Sequence, residues 1–116
     1  MKNIGLIGCG NIAETYFRAQ EYFNNINFVS CADINLDAAK KTAEQYNIIP
    51  LSVDEILNDK NIDIILNLTI PQAHYEISKR ALESNKHVYC EKPMSVKFDD
   101  AKELLNLAKK NSLYIG

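Results

Sequence analysis

Apolar positions change period repeatedly along the chain, and the changes mark out alternating strands and helices. Residues 2–7 read as a short strand that runs straight into Gly8-Cys9-Gly10, after which Ile12, Tyr16, Ala19 and Phe23 recur at helical spacing. A second strand over 27–32 ends at Asp33, and Asn35 is placed to cap a helix through Tyr46 with Ala39, Ala43 and Tyr46 as its inward stripe. A brief strand at 48–51 precedes Ser52 and Glu55, whose spacing is that of a capping box on a helix of one or two turns. Ile62, Ile64, Ile65, Leu66 and Leu68 make a nearly unbroken apolar run, the pattern of a strand covered on both faces at the centre of a parallel sheet. Beyond Pro71 a helix carries Ala73, Ile77, Ala81 and Leu82 inward, and a strand over 87–90 leads to a turn at Lys92-Pro93. The last helix shows Ala101, Leu104, Leu105 and Ala108 at i, i+3, i+4 and i+7, with Asp99 and Asp100 in the first turn where the helix dipole favours acids. Lys97 falls at its N-cap, where an oxygen-bearing side chain is usual. Residues 113–115 begin a sixth strand.

This alternation predicts an α/β fold with a doubly wound parallel sheet and right-handed crossovers. No linker, repeat or low-complexity stretch divides the 116 residues, which have room for one domain, expected to be residues 1–116. Because the pattern breaks off at Gly116 during the sixth strand, the chain reads as part of something longer. At 47% apolar and 24% charged residues the composition supports a packed core and excludes wholesale disorder. The formal net charge is -2 with Lys and Arg scattered, which offers no basic patch to nucleic acid or to an anionic membrane. No apolar run approaches the ~18 residues of a membrane-spanning helix, and the start resembles no signal peptide, so the cytoplasm is the expected address. Cys9, Cys31 and Cys90 lack C-x-x-C spacing and read as buried free thiols, and His74 and His87 lack H-x-x-x-H spacing, so no metal site is expected.

Gly8-Cys9-Gly10-Asn11-Ile12-Ala13 matches G-x-G-x-x-G/A, in which each small residue has a separate mechanical task. Gly8 allows a tight turn, Gly10 lets the backbone approach a pyrophosphate, and Ala13 permits close helix–sheet contact. The N–H groups of the helix start, from Asn11 and Ile12, face the phosphates. Alone the pattern is weak. Here it lies between a strand and a helix, with Asp33 at the end of the next strand, about 20 residues on as a dinucleotide fingerprint requires. Asp33 can accept from both hydroxyls of the adenosine ribose, and its charge opposes a 2′-phosphate, so NAD is preferred over NADP. The competing readings are an ordinary strand–helix turn with Asp33 as a polar strand terminus, and a methyltransferase. The latter also uses a glycine-rich first loop, but its cofactor has no pyrophosphate and it gives no reason for the later motifs.

Those motifs are Asn67-Leu68-Thr69-Ile70-Pro71-Gln72-Ala73-His74 and His87-Val88-Tyr89-Cys90-Glu91-Lys92-Pro93-Met94. With the GCGNIA-type loop and the acid after the second strand, they make the whole chain resemble the glucose-fructose oxidoreductase, inositol dehydrogenase and rhizopine-catabolism (Gfo/Idh/MocA) family. Glu-Lys-Pro is the most diagnostic part. The resemblance implies a Rossmann fold with strand order 3-2-1-4-5-6, Thr69 to Pro71 along the cofactor, and Glu91 at the nicotinamide-side ribose. It also implies Lys92 where substrate meets nicotinamide, followed by a cis Lys92-Pro93 bond. An ammonium there would stabilise oxyanion character as hydride leaves carbon, which makes Lys92 the candidate catalytic residue; a solvated turn lysine is the bland alternative. His74 either shapes the cofactor pocket or caps the helix that follows. Family members carry a second domain that supplies the general acid/base and the oligomer interface. No residue here is placed for proton removal, and the chain is expected to bind dinucleotide without turnover. The parent is expected to act on a sugar, cyclitol or related polyol as a homo-oligomer; a free-standing dinucleotide sensor is the alternative.

Overall fold

In chain order the computed structural model forms β1 (Lys2–Ile7), α1 (Ala13–Ala19), β2 (Ile26–Ala32), α2 (Leu36–Tyr46), β3 (Ile49–Pro50), α3 (Val53–Asn58), β4 (Ile64–Asn67), α4 (Pro71–Glu83), β5 (His87–Cys90) and α5 (Phe98–Lys110). It describes residues 2–10, 13–19, 25–90 and 97–116. The strands are all parallel and stand in the order β3-β2-β1-β4-β5. This is the predicted order for the first five. At the place of the sixth, Ile115 forms an isolated parallel bridge with Val88, and the Gly116 carbonyl accepts from the Cys90 N–H at 2.9 Å. With the Val88 N–H donating to the Tyr114 carbonyl and the Gly116 N–H to the Val88 carbonyl, both at 2.9 Å, residues 114–116 begin the expected sixth strand beside β5.

Strand side chains alternate between the two faces, and each face receives its own helices. Ile4 and Leu6 of β1, Cys31 of β2 and Leu66 of β4 pack with Ala13 and Phe17 of α1 and Ala43 of α2. Ile7, Ala32, Ile65 and Val88 point the other way, onto Ile56 and Leu57 of α3, Leu82 of α4 and Leu104 and Ala108 of α5. Such a sheet, covered on both faces, is the doubly wound architecture that the unbroken apolar run announced.

Local signals decide where elements begin. Asn35 accepts from the N–H groups of Asp37 and Ala38, and Ser52 with Glu55 completes the reciprocal capping box of α3. α2 ends at Asn47 in the left-handed conformation, a residue type that tolerates it. α4 starts on Pro71, whose missing N–H costs nothing in a first turn.

Three expectations are corrected. The stripe of α1 is wider than expected: Ala13 and Phe17 are buried, and Tyr16 is half-buried against the same core, while Ile12 and Phe23 lie outside the described residues. Leu105 is 50% exposed, because α5 rests on the sheet along the narrower line of Leu104 and Ala108. β3 is shorter than 48–51 because only Ile49 and Pro50 pair with β2 at the sheet edge, and both are exposed.

Candidate functional site

The order 3-2-1-4-5 places β1 beside both β2 and β4, so the chain leaves β1 and β4 toward opposite sides and opens a crevice between their carboxyl ends. A cavity of about 280 Å³ occupies that crevice, with Gly8, Gly10, Asp33 and Thr69 on its polar side. Three separate parts of the sequence therefore converge on one edge of the sheet.

Gly8 is held on both flanks. Its N–H donates to the Ala32 carbonyl at 2.9 Å, and the neighbouring Ile7 carbonyl accepts from Leu68 at 2.8 Å. Its φ is +104°, and a Cβ there would stand 2.6 Å from the Leu68 carbonyl group, so no side chain fits between β1 and the β4–α4 turn. Gly10 is the opposite case: the space its Cβ would fill is open to 4 Å. One glycine packs protein against protein, and the other keeps a surface clear.

Asp33 closes the second wall. Its Oδ2 accepts from the Cys9 N–H and its Oδ1 from the Asn35 N–H, both at 2.8 Å. Each oxygen retains a lone pair, since a carboxylate offers about four acceptor positions. The residue thus ties the glycine turn to the end of β2 and can still accept from a ligand.

The β4–α4 turn is organised by Asn67, which is fully buried. Its amide donates to the His74 carbonyl at 3.1 Å and the Ser78 hydroxyl at 3.0 Å, and its Oδ1 accepts from the Thr69 N–H at 3.2 Å and hydroxyl at 2.6 Å. Thr69 is thereby fixed at the cavity with its hydroxyl oxygen available as an acceptor. Pro71 opens α4. His74 lies one turn into α4 and is buried, away from the cavity's lining; it is not the helix cap. Asn11, Ile12, Glu91, Lys92 and the Lys92-Pro93 bond lie outside the described residues.

Ile34 and Ile70 were not singled out in the sequence. They line the cavity and are 97% and 66% exposed, each within the loop that follows a strand. Isoleucines two and three residues beyond the ends of β2 and β4, each next to a residue already assigned to the site, are the signal that could have found them. A larger cavity, about 550 Å³, sits at the opposite edge of the sheet around Lys2, Asp63, Lys86 and His87, where no glycine turn points. No group of three His, Cys, Asp or Glu is arranged for a metal ion among the described residues, and no described helix is long and apolar enough to cross a membrane.

A parallel, doubly wound sheet with a glycine turn after its first strand, a carboxylate at the end of its second, and a crevice between them defines an NAD(P)-binding Rossmann domain. The chain belongs to the Gfo/Idh/MocA oxidoreductases: the family described as "Oxidoreductase family, NAD-binding Rossmann fold" matches residues 2–116. It is 31% identical over 108 residues to inositol 2-dehydrogenase from Azotobacter vinelandii, covering 90% of this chain and 32% of that enzyme. Among solved structures it is similar to biliverdin reductase from Synechocystis, in complex with biliverdin and NADP+ (TM-score 0.89, 28% identity, 97% of this chain and 37% of that one). It is also similar to a 3-ketoreductase from Actinomadura kijaniata, in complex with TDP-benzene and NADP (TM-score 0.92, 26% identity, 98% and 37%). The chain spans a third or less of the length of the curated relatives it matches.

Proposed function

We propose that residues 1–116 are the nucleotide-binding domain of an NAD(P)-dependent oxidoreductase that transfers hydride between nicotinamide and a sugar, cyclitol or related polyol. One observation carries the cofactor assignment: Gly10 is bare and open where Asp33 and Thr69 face the same crevice. The residues present fit a dinucleotide. Gly8 and Gly10, with the amides of Asn11 and Ile12, receive the pyrophosphate at a helix start. Asp33 takes the adenosine ribose with the acceptor positions that Cys9 and Asn35 leave, and Ile34 and Ile70 supply apolar walls. Thr69 and Pro71 lie along the cofactor, Glu91 meets the nicotinamide-side ribose, and His74 supports the pocket wall from within α4. The bound cofactor supplies the hydride chemistry; Lys92 places a positive charge beside the substrate oxygen and lowers the cost of its developing negative charge.

NAD is the preferred coenzyme on this reading. A 2′-phosphate would meet the Asp33 carboxylate, and the next residues, Ile34 and Asn35, bring no positive charge to offset it. The substrate relationship follows from the family and from the names of relatives such as inositol 2-dehydrogenase. A cytoplasmic homo-oligomer is the assembly proposed for the whole enzyme. Calorimetric titration with NAD and with NADP tests the central assignment. Binding of NAD at least tenfold tighter than NADP is the expected result, and no heat with either coenzyme would overturn it.

A further inference from the structure

Two cysteines meet beneath the glycine turn. Cys31 stands level with Leu6 in the β1–β2 register, is fully buried, and directs its Sγ to the Ala39 carbonyl of α2 at 3.4 Å. Cys9 follows Leu6 by three residues, but the turn at Gly8 folds it back over β2. Its N–H reaches Asp33, and its Sγ lies 3.5 Å from the carbonyl of Ala32, the residue next to Cys31. Both thiols pack into the same cluster on the α1–α2 face of the sheet.

The two differ in access. Cys9 is half-buried and lines a cavity of about 440 Å³ with Gly10, Lys41 and Thr42, whereas Cys31 sits behind it. Hydrogen bonds from Cys31 and Thr42 hold the Cys9 thiol below its ordinary value, against its burial and the Asp33 charge. The same contact with Cys9, together with burial, pushes the Cys31 pKa up, so Cys9 is the more readily ionised of the two. Cys90 packs on the opposite face of the sheet, and burial raises its pKa.

We propose that Cys9 and Cys31 are a peroxide-reactive dithiol, and that its oxidation to a disulfide withdraws the glycine turn from the dinucleotide. The second half rests on the cofactor assignment above. The Cys9 thiolate attacks a hydroperoxide oxygen; the O–O bond breaks, a sulfenic acid forms, and the leaving oxygen takes a proton and departs as water or alcohol. Cys31 loses its proton and its sulfur displaces the sulfenic hydroxyl, which leaves as water while the S–S bond forms. Two thiols give up two electrons and two protons, and the peroxide is reduced. A disulfide needs its Cα atoms roughly 4.4–6.8 Å apart. A bridge to the fully buried Cys31 ties Cys9, the residue between Gly8 and Gly10, to β2 and competes with the Cys9–Asp33 hydrogen bond that positions the glycine turn at the crevice. Linkage makes the effect reciprocal, so bound dinucleotide shifts the equilibrium from disulfide toward dithiol by the same factor.

The test treats the fully reduced chain with hydrogen peroxide, with and without saturating NAD, and maps peptides without reduction. The expected products are a Cys9–Cys31-linked peptide with Cys90 still free, a linked fraction in a dithiothreitol redox buffer that falls when NAD is saturating, and at least tenfold weaker NAD binding by the linked form, restored by full reduction with dithiothreitol. Cys31→Ala should keep NAD binding after the same treatment. In Cys9→Ser, Cys31 should survive peroxide unmodified, a readout that stands if the buried substitution fails to fold. Linkage through Cys90, over-oxidised Cys9 with no linked peptide, or a linked chain of unchanged NAD affinity overturns the proposal. Failure of the reduced chain to bind NAD sinks the cofactor reading instead, while the peptide map still decides the dithiol.

Discussion

At Gly8 two separate constraints coincide, a positive φ and a backbone carbonyl group 2.6 Å from where a Cβ would be. Neither yields to rotation of a side chain, so Gly8→Ala should cost at least about 2–3 kcal/mol, from left-handed strain and displacement of the β4–α4 turn. A urea midpoint close to wild type would contradict this. Asp33 combines a structural task with a proposed ligand task, and the two separate in a measurement. Asp33→Ala removes the acceptors of Cys9 and Asn35, loosening the site for any coenzyme. It also removes charge-assisted bonds to the ribose, worth roughly 1.5–3 kcal/mol, which only NAD would make in full. NAD affinity should therefore fall by roughly ten- to a hundredfold and NADP affinity by less; equal losses would remove the ribose argument. Gly8 and Asp33 were legible in the sequence because spacing alone reveals them. Asn67 was visible only as a letter in a motif, since its four hydrogen bonds join β4 to atoms 2, 7 and 11 residues away, and nothing local announces that closure.

Among elements, caps were easier to read than faces. The Ser52–Glu55 box is a contact three residues apart, and the structure has both of its hydrogen bonds. Ser52→Ala should destabilise by about 1 kcal/mol, detectable by chemical denaturation, because one first-turn N–H loses its acceptor. Which helix face is buried depends on how the helix rolls against the sheet, which is why Leu105 of α5 departed from its stripe and the buried Phe17 of α1 was missed. The turn between α4 and β5 holds an element-scale surprise in Lys86, a nearly buried lysine. Its Nζ donates to the carbonyls of Asp59 and Ile62 at 2.6 and 2.9 Å, tying this turn to the one after α3. Desolvation depresses its pKa below the ordinary 10.5, against the raising influence of Asp59 and Asp63. Between the folded value and 10.5 the unfolded chain binds more protons, so stability rises as pH climbs through that window. Lys86→Met lacks this titration, and the stability advantage of wild type over it should widen with pH; a constant difference would show that burial does not burden the ammonium.

For the molecule as a whole, the order of strands matters more than any one of them. Alternating apolar runs sufficed to predict the parallel sheet and the start of its sixth segment, where residues 114–116 exchange backbone hydrogen bonds with Val88 and Cys90 of β5. The proposed cofactor site inherits the order directly, because its walls come from the ends of β1, β2 and β4, distant in sequence and adjacent only when the sheet has formed. An unfolded chain therefore offers no partial site, and ligand binding must appear as folding stability. One hundred times Kd of NAD adds about 2.7 kcal/mol. For a domain of this size, each kcal/mol shifts the midpoint by roughly 4 °C, so Tm should rise by about 10 °C. Asp33→Ala should lose most of that rise at the same NAD concentration, while Lys86→Met, altered at the opposite edge of the sheet, should retain it despite a lower starting Tm. Loss of the NAD response in both variants would mean that it reports general fragility of the fold and not occupancy of the crevice between β1, β2 and β4.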